Sequence, residues 1–164
     1  MAAWTVRSAQ IGDAQAIAEL IIHYARKGLL LPRPLSQVYA HIRDYAVVEV
    51  DGRVVGCGAL EVVWDSLGEV RSLAVEEGMR GLGIGRALVE YLLEDASRLG
   101  LKRVFALTYI EQFFEQFGFR KVPKESLPHK IWRDCIHCPK FPDCDEVAML
   151  LELEYISPRN DRSL

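Results

Sequence analysis

Long hydrophobic runs are absent from this 164-residue chain. No apolar stretch nears the roughly 18 residues that a bilayer span requires, so a helical membrane protein is not expected. A basic surplus is absent too: Lys plus Arg number 20 against 23 Asp plus Glu, a net charge of −3. With no basic run either, nucleic acid and anionic membrane surfaces are poor partners. The N-terminus, Met1-Ala2-Ala3-Trp4-Thr5-Val6-Arg7, has no apolar h-region, so no export signal is expected and a cytoplasmic location is. Cysteine is scarce, at four residues. In a reducing compartment these are not a disulfide framework.

What is present is ordinary globular material. Half of the residues are hydrophobic and 26% are charged, which excludes disorder and collagen-like repeats. The length suits one domain of about 150 residues. There is no internal repeat and no linker, so residues 1–156 read as a single domain and 157–164 as a polar, disordered tail.

The periodicity alternates between strand and helix. Trp4 to Ser8 reads as a strand, and Ile17, Leu20, Ile21 and Tyr24 have helical spacing after Asp13 as N-cap, with Gly28 as the stop. Leu29-Leu30-Leu31-Pro32-Arg33-Pro34 reads as a loop, and Ser36 to Arg43 as a second helix. Ala46–Val50 and Val54–Val63 flank Asp51-Gly52, a strong hairpin signal. Glu69–Val75 is a third such strand, after a turn at Ser66-Leu67-Gly68. Helix 86–99 carries Leu88, Leu92 and Ala96 on one face and ends at Gly100. Strand 104–107, short helix 112–117, strand 119–122 and strand 147–155 complete the order, with a Pro- and Cys-containing loop insert over 123–146. This is an α/β (α+β) chain with one mixed sheet, lacking the regular alternation of a doubly wound fold.

The sharpest signal is Arg80-Gly81-Leu82-Gly83-Ile84-Gly85-Arg86, between the strand ending at Val75 and the long helix. Alternate glycines let backbone N–H groups converge on one small volume, and the helix adds its unpaired donors and positive dipole end. With Arg80 and Arg86, this makes a pyrophosphate cradle. A Walker A loop fails, because Gly85 is followed by Arg86-Ala87 and not Lys-Ser/Thr. The dinucleotide fingerprint fits poorly, because the spacing is G-x-G-x-G and follows a late strand. The plain alternative is a glycine-rich helix entry that holds no ligand.

Arg80-Gly81-Leu82-Gly83-Ile84-Gly85 resembles the R/Q-x-x-G-x-G/A signature of the GNAT acetyltransferase superfamily. Val70-Arg71-Ser72-Leu73-Ala74-Val75 is similar to its preceding strand, and Phe113-Phe114-Glu115-Gln116-Phe117-Gly118-Phe119 to its later aromatic motif. The resemblance implies a mostly antiparallel central sheet with a bulge and a splay, and helices on both faces. It also implies acetyl-coenzyme A, held by the amides of residues 81–86 and by Leu73, Ala74, Val75 and Phe114. Family members often pair as homodimers.

Acetyl transfer to an amine needs a neutral nitrogen, oxyanion stabilisation and a proton for the thiolate. Glu69 resembles the family's carboxylate base; the alternative is a strand-capping residue or a partner of Arg71. The N–H of Leu73 or Val75 is the expected oxyanion donor. Phe114 stands where many members have Tyr, so the acid is Tyr109, Thr108 or water, and Tyr109 is preferred. Arg33 and Lys130 are candidate cations for substrate carboxylates, with Arg71 and Ser72 beside them; the alternative is ordinary surface charge.

Gly28-Leu29-Leu30-Leu31-Pro32-Arg33, together with the 69–75 and 107–119 segments, resembles the subgroup that makes N-acetylglutamate in arginine biosynthesis. That resemblance implies an amino-acid substrate, L-glutamate. Alternatives are another small amine, a protein N-terminus, or a non-catalytic acyl-coenzyme A-binding module. Polyamines would need an acidic pocket, which Arg33 and Lys130 oppose. Finally, Cys135, Cys138 and Cys144 have C-x₂-C-x₅-C spacing, read as a structural zinc site, as packed thiols or as a redox-labile pair.

Overall fold

The computed structural model describes residues 3–127 and 145–153. Its elements are β1 (Thr5–Ser8), α1 (Ala14–Ala25), α2 (Leu35–Ala40), β2 (Tyr45–Val50), β3 (Arg53–Trp64) and β4 (Leu67–Val75). There follow α3 (Ile84–Leu99), β5 (Arg103–Thr108), α4 (Glu111–Glu115), β6 (Arg120–Val122) and β7 (Val147–Glu152). This is the order read from the sequence.

The strands form one sheet in the order β1-β2-β3-β4-β5-β7-β6. Neighbours run antiparallel except β4 and β5, which are parallel. Parallel neighbours need a crossover, and α3 supplies it. At the β2–β3 hairpin Asp51 and Gly52 both have positive φ, 50° and 78°, as a two-residue turn matched to strand twist requires. The next turn is tighter than expected. Only Asp65 and Ser66 separate β3 from β4, and Gly68 lies within the strand. A Cβ there would come within 2.7 Å of the Leu101 side chain, so Gly68 answers to packing and not to turn geometry.

Both faces of the sheet are covered. Leu88, Leu92 and Ala96 of α3 pack on Ala46, Val48, Leu60 and Val70. On the other face Ile17, Ile21 and Tyr24 of α1, with Val38 of α2, pack on Tyr45, Val47, Cys57, Ala59 and Ala74. Successive residues of β2 therefore serve opposite cores, which is why that strand reads as an unbroken apolar run. Burying each such leucine or isoleucine contributes about 1.5–3 kcal/mol. No helix among the described residues is long and apolar enough to cross a membrane.

Asp13 departs from expectation. It sits at the N-cap position of α1 but makes no capping bond to that helix. Its carboxylate instead accepts both Arg7 Nη atoms, at 2.7 and 3.0 Å, and the Gln10 N–H at 2.7 Å. A guanidinium fork outcompetes the helix amides for the carboxylate.

Candidate active site

The site grows from a defect in β4. Along β3 the register passes from Cys57 to Ala59 while β4 passes from Ala74 to Arg71, so β4 carries one extra residue. Ser72 absorbs it at φ 54°, in the left-handed region that non-glycine residues rarely enter. The bulge resets the alternation of side chains. Arg71, opposite Ala59, and Ala74 both face α1 and α2, while Val70, Leu73 and Val75 face α3. Gly58 makes room for this, since a Cβ there would meet Leu73 and Leu92 side-chain carbons at 3.2 Å.

Beyond the bulge the sheet opens. β4 and β5 pair only through Leu67–Glu69 and Arg103–Phe105. Past Glu69 they part, and a cleft of about 450 Å³ lies between Val70–Val75 on one side and Leu107–Ile110 on the other. The bulge and splay expected from the resemblance are both present.

At one end of the cleft stands the glycine turn. Gly81 and Gly83 have φ of 79° and 83°, with open space before each. Gly83 is the N-cap of α3, so the turn aims that helix's unpaired donors outward. Gly85 lies in the helix with ordinary φ, and its absent side chain leaves the Phe113 ring 3.6 Å away. Arg80, Gly81, Gly83, Ile84, Gly85 and Arg86 line the cleft; Leu82 does not, and its side chain is exposed. The positive-φ glycines on either side of Leu82 turn it to solvent.

Tyr24 was legible only as a core position on α1, yet it organises this end. Its hydroxyl donates to the Val75 carbonyl and accepts from Arg80 Nη2 at 3.0 Å. The Arg80 guanidinium also lies over its ring, 5.3 Å from the centroid. Arg86 is held by Glu90 at 3.0 Å and by the Phe117 ring at 5.5 Å. The Glu77 carboxyl, between Lys27 and His23, is held down at about 2 by hydrogen bonds from Lys27 first and His23 second.

A second polar group lies on the α1/α2 face of the bulge, around buried Tyr45. Burial pushes the Tyr45 hydroxyl's pKa up, opposed by the Ser72 side chain and by the charges of Arg71 and Arg33. Tyr45 thus feels Arg33 from the α1–α2 loop together with Arg71 and Ser72 of β4. Arg71 Nη1 pairs with Glu61 Oε2 at 2.5 Å, with both side chains 8% exposed. Arg71 is therefore ion-paired with Glu61 of the neighbouring strand. Among the described residues, the buried Nε atoms of Arg33 and Arg71 have no hydrogen-bond partner. Asp44 adjoins this group, its carboxyl pushed up by burial against the pull of His41.

Glu69 is buried and does not itself line the cleft; it occupies the last β4 position paired with β5, where the strands part. Tyr109 lines the cleft, and its hydroxyl donates to Asp145 Oδ1 at 2.7 Å. Thr108 accepts the Ile110 N–H at 2.9 Å. Phe114 reaches the cleft but is 3% exposed, with its ring edge-on to Phe113 and Phe119. Lys130, Cys135, Cys138, Cys144 and the tail lie outside the described residues. Among the described residues, no three His, Cys, Asp or Glu side chains gather so as to hold a metal ion.

Comparison with known proteins agrees with this geometry. Residues 15–119 match the acetyltransferase (GNAT) family. An uncharacterised N-acetyltransferase of Chlorobaculum tepidum is 44% identical over 148 residues, covering 90% of this chain and 96% of the relative. An amino-acid acetyltransferase of Mycobacterium tuberculosis is 38% identical over 156 residues, covering 93% and 87%. A Mycobacterium tuberculosis protein solved in complex with CoA superposes with a TM-score of 0.78 at 38% identity, over 91% of this chain and 99% of that one. The N-acetylglutamate synthase of Neisseria gonorrhoeae, complexed with coenzyme A and N-acetyl-glutamate, superposes with a TM-score of 0.81 at 26% identity. The match covers 93% of this chain and 36% of that longer one. The chain is an N-acetyltransferase belonging to the GNAT family.

Proposed function

We propose that this enzyme transfers the acetyl group of acetyl-coenzyme A directly to the α-amino group of L-glutamate, an N-acetylglutamate synthase reaction of arginine biosynthesis. The observation that carries the reading is the convergence of Arg33, Arg71 and Ser72 on Tyr45, beside the open half of β4. Two guanidiniums there suit an acceptor that carries carboxylates, and a buried Nε with no partner among the described residues gives Arg33 a donor to offer. The Mycobacterium tuberculosis relative is an amino-acid acetyltransferase, and one solved neighbour is complexed with N-acetyl-glutamate. Lys130 is a further candidate cation for the same acceptor.

The cleft fits the cofactor. Coenzyme A supplies the acetyl group as an activated thioester. The amides of residues 81–86, open to solvent at Gly81 and Gly83, hold its pyrophosphate, with Arg80 and Arg86 beside them. Leu73, Ala74 and Val75 carry its arm along the unpaired edge of β4. Glu69, at the fork of the strands, takes the proton of the acceptor nitrogen, directly or through water. The Leu73 N–H stabilises the developing oxyanion, and the Tyr109 hydroxyl returns a proton to the thiolate.

Thiol release from acetyl-coenzyme A, measured across the twenty amino acids with polyamines as controls, tests the reading. Glutamate-dependent release is expected, with Arg33→Ala raising the glutamate KM about tenfold or more, the worth of one hydrogen bond to a charged group. Release with a polyamine alone, or with no amino acid, overturns it.

A further inference from the structure

Cys57 is fully buried in β3 and has no part in the chemistry above. It lies opposite Ala74 at the edge of the bulge. Its Sγ donates to the Ser72 carbonyl at 3.4 Å. The side chain therefore satisfies the backbone carbonyl that precedes Leu73, where the extra residue interrupts the ladder. Burial pushes the thiol up to about 12, so it keeps the proton that it donates.

The consequence follows from peptide geometry. In a planar trans peptide the C=O and the following N–H point in opposite directions. The Ser72 carbonyl turns toward the Cys57 thiol, so the Leu73 N–H turns away from that thiol. Ser72 sits at φ 54°, a conformation that persists only when its surroundings hold it there. Ala and Gly neighbours on β3 offer no other side-chain donor: Gly56, Gly58 and Ala59 flank Cys57.

We propose that Cys57 is a positioning residue for acetyl transfer: its thiol locks the Ser72–Leu73 peptide so that the Leu73 N–H is presented to the thioester carbonyl. The proposal rests on the acetyl-coenzyme A reading but not on the identity of the acceptor. Cys57→Ala removes the bond to the Ser72 carbonyl, whereas Cys57→Ser keeps a donor in nearly the same volume.

The test is isotope-edited infrared spectroscopy of acetyl-coenzyme A labelled with 13C at the thioester carbonyl, bound to the full chain, alongside steady-state kinetics. In the native protein the carbonyl stretch lies below that of free acetyl-coenzyme A. Cys57→Ala loses most of that displacement. Because removal of a whole oxyanion donor costs about 10²–10³ in kcat, its misorientation is expected to cost about tenfold. Coenzyme A affinity stays within about twofold, because binding at the glycine turn is untouched. Cys57→Ser restores the displacement and most of kcat.

A native carbonyl frequency in Cys57→Ala overturns the proposal, as does Cys57→Ser failing alongside it while melting temperature and coenzyme A affinity fall together. Native protein that binds acetyl-coenzyme A with an undisplaced carbonyl overturns this proposal and leaves the cofactor reading standing. Native protein that does not bind acetyl-coenzyme A overturns both.

Discussion

The glycine turn and the polar group around Tyr45 flank the same open stretch of β4, and they are made of different material. The turn is built from backbone: Gly81 and Gly83 at positive φ, with α3 behind them, and its two arginines are exposed. The Tyr45 group is built from side chains drawn from the α1–α2 loop, β2, β3 and β4, and most of it is buried. A site made of amides answers to conformation. A site made of buried charges answers to pairing, because a charge left alone in the interior has no water to replace its partner.

Three substitutions sharpen that contrast. The largest effect belongs to Glu61→Ala, which leaves the Arg71 charge buried without its 2.5 Å partner. Breaking such a pair costs about 3–5 kcal/mol, read as a lowered urea midpoint. The double variant Glu61→Leu/Arg71→Met is expected to recover most of that stability and to lose acceptor turnover. A single-variant loss below about 1 kcal/mol would show the group to be as solvated as the turn.

Next comes Gly83→Val. Nothing stands within 4 Å of the new Cβ, so the effect is purely conformational, through φ 83°. A left-handed conformation costs an L-residue about 1–2 kcal/mol, which predicts about a 5- to 30-fold loss of coenzyme A affinity by calorimetry. Unchanged affinity would separate the turn from cofactor binding.

The smallest effect lies outside the cleft and serves as a gauge of burial. Arg7 pairs with Asp13 and Glu49, with the Arg7 side chain 31% exposed against 8% for Arg71. The Arg7 hydrogen bonds hold the Asp13 carboxyl below its usual value, against the upward push of burial. A depressed folded pKa means stability that is present above the unfolded value, about 3.9, and lost as pH falls through the folded one. Asp13→Asn is therefore expected to lower the urea midpoint at pH 7, with the gap from native protein narrowing below about pH 4. A gap that is constant with pH would mean that the ion pair contributes nothing there.

Local signals were legible where a few neighbouring residues settle the matter. Asp51-Gly52 marked its hairpin because both residues adopt positive φ, and the 80–86 run marked the helix entry because glycine alone enters that geometry freely. The spacing of Leu88, Leu92 and Ala96 named the buried face of α3 correctly. Signals that depend on competition were not legible. Asp13 looked like a cap until Arg7 took its oxygens, and Gly68 looked like a turn until Leu101 was found against it. Tyr24 looked like a core residue, which it is, but its hydroxyl matters through Arg80 and Val75; Tyr45, beside Ser72, had no local signal at all.

By itself the sequence determined the element order, the glycine turn and the membership that its motifs announce, because each rests on residues adjacent along the chain. The tertiary structure alone decided that Arg71 pairs with Glu61, that Arg33 joins it at Tyr45, and that Cys57 spans the bulge. These are meetings between segments far apart in the chain. They depend on strand register, and one extra residue in β4 turns every later side chain to the opposite face.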